Sequence, residues 1–321
     1  ARTIANKINA DEEIAYRAGL LCKCDLLTEM VGEFPSLQGI MGYYYALAHD
    51  DSHACAQAIK EHYLPGFSKD KLPDTDIGHA CALADRLDTL IGILGINRMP
   101  TGDNDPFKLR RAALGIIRLL IEKSLPLDLN ALLQESHQAY SVANLPNKDV
   151  VNQAYDFILN RLKYWYLDQS ISAEVFEAVK ATEPTSPLDF HHRVLAVCQF
   201  QSLPEAKALD SANKRVSNIL KKNAGIPLPE STDETLFESE AERGLAKQLD
   251  IQTQKVNGLY QQADYTQALS QLSTLKQPID HFFDDVMIMV EDEKIRNNRL
   301  ALLTSLRKLF TQVADISLLP Q

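Results

Sequence analysis

Apolar residues recur at helical spacing along almost the whole chain, and sustained strand-like alternation is hard to find. Over residues 11–31, Leu20, Leu27 and Val31 follow one another at i, i+7 and i+11, so we expect them to share one face of a single helix. Residues 77–94 carry a longer apolar stripe of the same kind. The periodicity therefore predicts an all-α fold.

Two glycines lie in the second predicted helix. After a bend at residues 32–35, Gly39 and Gly42 stand one turn apart in a helix that also carries three tyrosines. Glycine inside a helix costs about 1 kcal/mol relative to alanine, so the pair needs a packing reason. We predict that the bare backbone lets another helix approach closely here.

The last third of the chain has its own helix signals. Residues 202–205, Ser-Leu-Pro-Glu, form a capping-box sequence that predicts a helix start. Residues 229–242 are acidic and turn-like, and we expect two closing helices over about residues 265–289 and 293–313. In the second of these, the apolar positions predict burial of Ile295, Leu302, Leu306, Leu309 and Phe310.

The length of the chain indicates more than one domain. At 321 residues it exceeds what one ordinary core accommodates. Prolines and a new helix cap at residues 184–189 mark a boundary. We expect a helical domain over residues 1–124, a helical linker region over residues 125–201 and a C-terminal helical bundle over residues 202–321.

Composition is typical of a folded, soluble protein. The chain is 45% apolar, and it has no run of about 18 apolar residues that could cross a membrane. It opens without the apolar core of a signal peptide, and its first residue is not Met, which suggests that the sequence begins inside a longer protein. We expect a cytoplasmic location.

The cysteines and the charge set two limits. The five cysteines contain no Cys-x-x-Cys pair, so we expect buried reduced thiols rather than disulfides or a zinc site. The formal net charge of -10 argues against a generally basic nucleic-acid-binding surface. An RNA-binding role would require the Lys and Arg residues to gather on one face.

Residues 22–45, CKCDLLTEMVGEFPSLQGIMGYYY, resemble a long family-specific segment. The β subunit of the bacterial heterotetrameric glycyl-tRNA synthetase carries K-x-D-L-x-T-x-M-V-x-E-F-x-x-L-Q-G-x-M-G-x-x-Y-A in the corresponding place. The residues in register with it are Lys23, Asp25, Leu26, Thr28, Met30, Val31, Glu33, Phe34, Leu37, Gln38, Gly39, Met41, Gly42, Tyr45 and Ala46.

Four further segments extend this resemblance towards the C-terminus. Residues 84–90 match A-D-x-x-D-T-L, with Leu87 where methionine or leucine is usual, and residues 100–115 match P-T-G-x-x-D-P-F-x-L-R-R-A-A-L-G. Residues 213–220 and 282–303 resemble the C-terminal anticodon-binding bundle of the same subunit.

The resemblance implies both a fold and a function. It implies an inactive domain related to the His-Asp (HD) phosphohydrolases over residues 1–124 and a DALR-type anticodon-binding bundle over residues 202–321. The chain would then be part of an aminoacyl-tRNA synthetase and would bind the anticodon of tRNA(Gly). The α subunit of an α2β2 heterotetramer would use ATP and Mg to attach glycine, so this chain itself would need no cofactor.

No motif assigns a catalytic residue to this chain. The nucleophile elbow G-x-S-x-G, the P-loop, the dinucleotide fingerprint and the signature motifs of class I and class II synthetases are all missing from the sequence. We therefore expect that the chain makes no adenylate alone.

A metal-dependent phosphohydrolase of the HD type is an alternative function. A hard divalent ion would need several convergent ligands. The family's Gly-Glu pair stands opposite Asp50–Asp51, however, which indicates that the His49–Asp50 doublet is accidental. A helical scaffold for protein partners is a third open possibility. The available metal ligands are His49, Asp50, His53, His79, Asp85 and Asp88.

Two cationic stripes in the C-terminal bundle are the predicted tRNA contacts. RNA binding needs cations for phosphates and polar or planar side chains for unstacked bases. Solvated helix faces with intrahelical ion pairs would carry the same pattern. One stripe contains Lys214, Arg215, Asn218, Lys221 and Lys222, and the other contains Arg296, Asn297, Arg299 and Arg307.

Arg110 and Arg111 form a further basic element in the first domain. They could reach the acceptor end of the tRNA, or they could form ion pairs with Asp85 and Asp88. The sequence leaves both possibilities open.

Overall fold

The computed structural model describes residues 1–320, and their regular structure is helical apart from one isolated bridge between Thr101 and Asn104. This confirms the all-α prediction. The α-helices of these residues are α1 (Arg2–Lys7), α2 (Glu12–Leu21), α3 (Glu29–Glu33), α4 (Ile40–Ala48), α5 (His53–Glu61), α6 (Asp76–Gly95), α7 (Leu109–Glu122), α8 (Leu129–Gln138), α9 (Val150–Leu167), α10 (Ala173–Lys180), α11 (Pro187–Gln201), α12 (Ala206–Lys222), α13 (Glu240–Gln261), α14 (Tyr265–Leu272), α15 (Lys276–Asp285) and α16 (Glu293–Thr311).

The helices belong to two compact units. The first unit contains Ala1–Trp165 and Thr185–Leu188, and the second contains Tyr166–Pro184 and the chain from Asp189 onward. The domain boundaries that we expect near residues 124 and 201 stay predictions.

The cysteines of the chain are all free thiols. Cys22, Cys55 and Cys81 are buried, as predicted, whereas Cys24 is exposed. Burial raises the pKa of Cys22 to about 11 and that of Cys81 to about 12, so both remain neutral near pH 7. Among the helices of residues 1–320, none is long and apolar enough to cross a membrane.

Helix α6 is the centre of the first unit. Thr75 caps its start, because the Thr75 hydroxyl accepts a hydrogen bond from the backbone N–H of Gly78 at 3.0 Å. Leu83, Leu90 and Ile91 lie completely buried on this helix, which packs against α5, α7 and α8. The predicted helix over residues 77–94 is therefore confirmed.

Arg86 of α6 is a buried cation that holds the loop after α5. Its guanidinium donates hydrogen bonds to the carbonyl oxygens of His62 at 3.1 Å, Tyr63 at 3.0 Å and Pro65 at 3.0 Å. Burial lowers the pKa of Arg86 to about 10, which still leaves the side chain charged at neutral pH. Carbonyl oxygens therefore solvate this charge in place of water.

The single helix predicted over residues 11–31 is wrong. Helix α2 ends at Leu21, a short 3-10 turn follows at Cys24–Leu27, and α3 begins only after Thr28. Leu27, expected on the buried face, is 91% exposed. Asp25 lies in this 3-10 turn with its side chain buried, and its carboxylate binds the start of α4.

Asp25 joins the 3-10 turn to the start of α4. Its carboxylate accepts hydrogen bonds from the backbone N–H of Gly39 at 2.6 Å and of Gly42 at 3.2 Å, and the side chain is buried. Gly39 precedes α4 at φ +76°, a conformation that favours glycine. The predicted second helix therefore begins after Gly39.

Gly42 gives the close helix approach predicted from the sequence. A Cβ atom built on Gly42 would lie 2.7 Å from the Cγ2 atom of Ile59 on α5. Helices α4 and α5 thus pack with no room for a side chain at this position.

Helix α16 is the centre of the second unit. Leu302, Leu306, Leu309 and Phe310 are buried as predicted, whereas Ile295 is only half-buried. The helix predicted over residues 265–289 is wrong as one element: α14 and α15 are joined by a 3-10 turn, and the chain leaves the helix after Asp285.

Helix α13 was missed in our prediction, which has a turn up to residue 242. Its start is a complete capping box: the Ser239 hydroxyl accepts from the Glu242 N–H at 3.2 Å, and the Glu242 carboxylate accepts from the Ser239 N–H at 2.9 Å. The Ser-x-x-Glu spacing was visible in the sequence and could have located this helix.

We predict that Asp25→Ala lowers the free energy of unfolding by at least about 2 kcal/mol, because two buried N–H groups lose their acceptor at about 1–3 kcal/mol each. Urea denaturation followed by circular dichroism measures the change. Asp74→Ala is the control, since Asp74 is an exposed carboxylate of the same unit, and we expect a change within about 0.5 kcal/mol. Equal effects of the two substitutions would contradict the role of Asp25.

Candidate nucleic-acid interface

Helix α12 has one buried side and one cationic side. Leu209 and Val216 are completely buried, as is the helix's first residue, Ala206, at 1% exposure. The first cationic stripe occupies the opposite side. Its members are all exposed: Lys214, Arg215, Asn218, Lys221 and Lys222.

The lysines of this stripe, Lys214, Lys221 and Lys222, form no ion pair with a carboxylate among residues 1–320. Lys221 and Lys222 also lie in the last turn of α12, where cations are stabilised by the helix dipole. The stripe can therefore offer its charges to an anionic ligand.

Arg215 differs from the lysines because its guanidinium stacks on an aromatic ring. The Cζ atom of Arg215 lies 4.1 Å from the ring centroid of Phe283 on α15. Such a cation–π contact orients the guanidinium plane and leaves its charge uncompensated by any carboxylate.

The second predicted stripe, on α16, is turned largely into the protein. Arg296, Asn297 and Arg307 are half-buried. Arg296 donates to the carbonyl oxygen of Val290 at 3.3 Å, and Arg307 donates to the Asp315 carboxylate at 2.9 Å. These contacts leave this stripe less free than α12 to bind a ligand.

Arg299 is 4% exposed and belongs to a buried ion pair. Its Nε donates to Glu242 at 2.7 Å, and its Nη2 donates to Glu238 at 2.8 Å. The hydrogen bond to Glu242 raises the pKa of Arg299. Burial alone would raise the pKa of Glu242, but the hydrogen bonds from Arg299 and Ser239 outweigh it and leave that pKa lowered. We therefore do not include Arg299 in the proposed interface.

Arg110 and Arg111 do not form the ion pairs that the sequence left open. Arg110 donates to the carbonyl oxygen of Gly102, and Arg111 is exposed. Asp85 instead pairs with Lys23 at 2.6 Å, and the Asp88 carboxylate accepts from the Tyr140 hydroxyl at 2.8 Å. The alternative of ion pairs with Asp85 and Asp88 is therefore wrong. Arg111 remains available for a ligand at the surface of α7.

Two histidines considered as HD-type metal ligands have separate partners. His79 is buried with its Nε2 at 2.9 Å from the carbonyl oxygen of Pro73, and the exposed His53 contacts the Tyr43 hydroxyl at 3.2 Å. Within residues 1–320, no group of three or more His, Cys, Asp or Glu side chains is placed to hold a metal ion.

Three side chains in and after α15 were not predicted to belong to this surface. Phe283 holds Arg215, and Met287 and Met289 are 75% and 52% exposed on the segment after α15. The alternation of buried Val286 and Ile288 with these methionines is a strand-like signal inside a segment that we expected to be helical.

We predict that Arg299→Met lowers the free energy of unfolding by about 3–5 kcal/mol, because it leaves the buried Glu242 carboxylate without its cation. Urea denaturation measures the loss, and the double variant Arg299→Met, Glu242→Gln should recover part of it. Arg243→Met breaks an exposed pair with Glu240 and a hydrogen bond to the carbonyl oxygen of Phe237, and it should cost no more than about 2 kcal/mol. A loss no larger than that of Arg243→Met would contradict the structural role.

Asp210 lies on the buried side of α12 and is 5% exposed. Its Oδ1 atom has no hydrogen-bond partner within residues 1–320. Burial raises the pKa of this carboxyl from 3.8 to about 7. The folded chain then keeps a proton that the unfolded chain loses, so this contribution to stability is complete at low pH and is lost as the pH rises to the folded pKa.

We predict that the free energy of unfolding of the Asp210→Asn variant, relative to that of the unsubstituted chain, increases by roughly 1.4 kcal/mol per pH unit between pH 5 and pH 7. Urea denaturation at pH 5 and pH 8 measures the difference. A difference that is independent of pH would show that Asp210 is ionised in the folded chain throughout this range.

Two families match the chain, one in its N-terminal part and one in its C-terminal part. The family described as "Glycyl-tRNA synthetase beta subunit" matches residues 1–181, and the "DALR anticodon binding domain" matches residues 209–317. The second match includes nearly all of α12 and the whole of α16.

Curated relatives resemble the chain from end to end. A protein of Coxiella burnetii (strain RSA 331 / Henzerling II) named "Glycine--tRNA ligase beta subunit" is 60% identical over 319 residues, which are 99% of this chain and 46% of the relative. A protein of Marinobacter nauticus with the same name is 49% identical over 320 residues, which are 100% of this chain and 46% of the relative. The chain therefore spans just under half the length of these relatives. It belongs to the glycyl-tRNA synthetase beta subunit family.

Proposed function

We propose that this chain is the tRNA-recognising part of a glycine–tRNA ligase β subunit and that the exposed stripe on α12 binds the phosphates of tRNA(Gly) near the anticodon. One observation carries the proposal: the unpaired cations of α12 lie within the region that matches an anticodon-binding domain. The names of the relatives support the same function for the longer protein.

The charge distribution meets the requirement for RNA binding by an acidic protein. The chain carries 43 acidic and 33 basic residues, so attraction to phosphate must be local. Lys214, Lys221 and Lys222 satisfy this condition because they are exposed and have no carboxylate partner within residues 1–320. The charges of Arg299 and Arg307, by contrast, are used inside the protein.

In this proposal, the chain contributes to aminoacylation by positioning the tRNA. An α subunit, within an α2β2 assembly in the cytoplasm, activates glycine with ATP and Mg and transfers it to the 3′ end of the tRNA. Holding two reactants in the right geometry lowers a barrier by up to several kcal/mol without any catalytic group on the positioning chain. Arg111 on α7 is a candidate for a second, weaker tRNA contact.

We predict that Lys214→Glu with Lys221→Glu weakens tRNA(Gly) binding more than tenfold at about 100 mM salt, because two attractive charges become repulsive. A filter-binding titration measures the dissociation constant. The slope of log affinity against log salt should also fall, by about 0.7–0.9 for each lost phosphate contact.

Lys247→Glu with Lys255→Glu is the matched control for this experiment. Both residues are exposed lysines on α13 of the same unit, so the net charge changes equally while α12 stays intact. Equal losses of affinity in the two variants would show that the effect comes from the change in net charge. Unchanged affinity in the α12 variant would reject α12 as the interface.

A tRNA(Gly) with a substituted anticodon tests the anticodon part of the proposal. The unsubstituted protein should bind it more weakly than the natural tRNA, and the α12 variant should discriminate less between the two. If the unsubstituted protein binds both tRNAs with equal affinity, anticodon recognition is rejected, while binding to the phosphates remains supported.

A further inference from the structure

The segment between α15 and α16 presents two methionines to solvent in a fixed arrangement. Val286 and Ile288 are 8% and 7% exposed, whereas the alternating Met287 and Met289 are 75% and 52% exposed. Because they alternate with buried residues, the two thioethers stand two positions apart and present polarizable, adaptable apolar groups at the surface.

Two arginines of α16 hold the backbone of this segment. Arg299 donates to the carbonyl oxygen of Met287 at 3.0 Å, and Arg296 donates to that of Val290 at 3.3 Å. Because Arg299 is itself fixed by the buried Glu242, the position of Met287 depends on the ion pair that anchors α13 to α16. The segment is therefore ordered before any ligand arrives, which reduces the entropic cost of binding.

The methionine segment and the α12 stripe share one surface. The Asn223 amide at the end of α12 lies 3.9 Å from the sulfur of Met289, and the guanidinium of Arg215 stacks on Phe283. We use the term stacking platform for Arg215, Phe283, Met287 and Met289. It combines a planar cation, an aromatic ring and two polarizable thioethers beside the α12 lysines.

The acidic residues around this platform limit what it can bind. Asp284 and Asp285 are exposed beside Phe283, and Glu291 and Asp292 are exposed just after the methionines. Phosphate groups are repelled at these positions and attracted by the lysines of α12. A nucleobase carries no formal charge, so it can occupy the platform while its phosphate stays on α12.

We propose that the stacking platform binds an unpaired nucleobase of the RNA whose phosphates lie on α12, an inference that rests on the function proposed above. The Arg215 guanidinium and the methionine side chains contact the faces of the base. Stacking of this kind tolerates any base because every base has a π face. The platform thus orders an unstacked nucleotide and does not by itself identify it.

Two substitutions in the full-length protein test the platform. Met287→Ala with Met289→Ala removes the apolar contacts. Arg215→Lys keeps the positive charge but removes the planar guanidinium group. Each should weaken binding of tRNA(Gly) about tenfold. The dependence of affinity on salt should stay unchanged, whereas Lys214→Glu with Lys221→Glu changes it.

A fluorescent base reports the contact directly. The probe is an anticodon stem-loop of tRNA(Gly) with 2-aminopurine at one unpaired position at a time. Binding to the unsubstituted protein should quench the probe at one position or more through stacking. The methionine variant, at a concentration that saturates the stem-loop, should leave it unquenched.

Leu195→Ala is the control for the methionine substitutions, because Leu195 is another large apolar side chain exposed in the same unit, at 47%. It should leave affinity and quenching unchanged. Thermal melting of each variant excludes unfolding as the cause of a loss. Arg215→Lys gives an independent result if the methionine variant melts early, since Arg215 lies on the surface.

The outcomes separate the platform from the proposed function. If the α12 lysine variant loses affinity while the platform variants bind and quench normally, the platform is rejected and the proposed function stands. If none of the variants loses affinity, both are rejected. If the methionine variant binds RNA normally but no longer joins the α subunit, the segment is a protein contact, which also overturns the inference.

Discussion

The buried ion pair between Arg299 and Glu242 is the interaction on which the second unit depends most. Glu242 closes the capping box that starts α13, and the same carboxylate accepts the hydrogen bond from Arg299 on α16. Arg299 also holds the carbonyl oxygen of Met287. One pair of charges therefore sets the start of a helix, the contact between two helices and the course of the exposed segment. Its cost of desolvation is met only because each donor and acceptor is used.

This arrangement explains how an acidic chain can present a cationic surface. Two arginines of α16 serve the fold: Arg299 is neutralised by Glu242 and Glu238, and Arg307 is neutralised by Asp315. The lysines of α12 have no such partners among the described residues, and their charge remains at the surface. Binding of an anionic ligand therefore depends on the local distribution of charge and not on the formal net charge of -10.

The first unit stabilises polar groups in the same way, although it carries none of the proposed RNA contacts apart from the surface of α7. The Asp25 carboxylate binds two backbone N–H groups, and the Arg86 guanidinium binds carbonyl oxygens of the loop after α5. Each of these buried side chains fixes a turn or a loop between helices. These polar residues serve structure, and within residues 1–320 no cluster of acidic, His or Cys side chains is placed for a metal.

The sequence by itself determined the helical class, the long helices α6 and α16 and the exposed side of α12, because these follow from local periodicity and capping. Resemblance identified the family, since long motifs carry more information than composition. Only the tertiary structure decided that Asp25 interrupts the first predicted helix, that Arg299 is buried while Lys214 is exposed, and that the Met287 segment lies beside α12. These features depend on contacts between residues distant along the chain, such as the 57 positions that separate Glu242 from Arg299, and local sequence patterns do not encode which charge finds a partner.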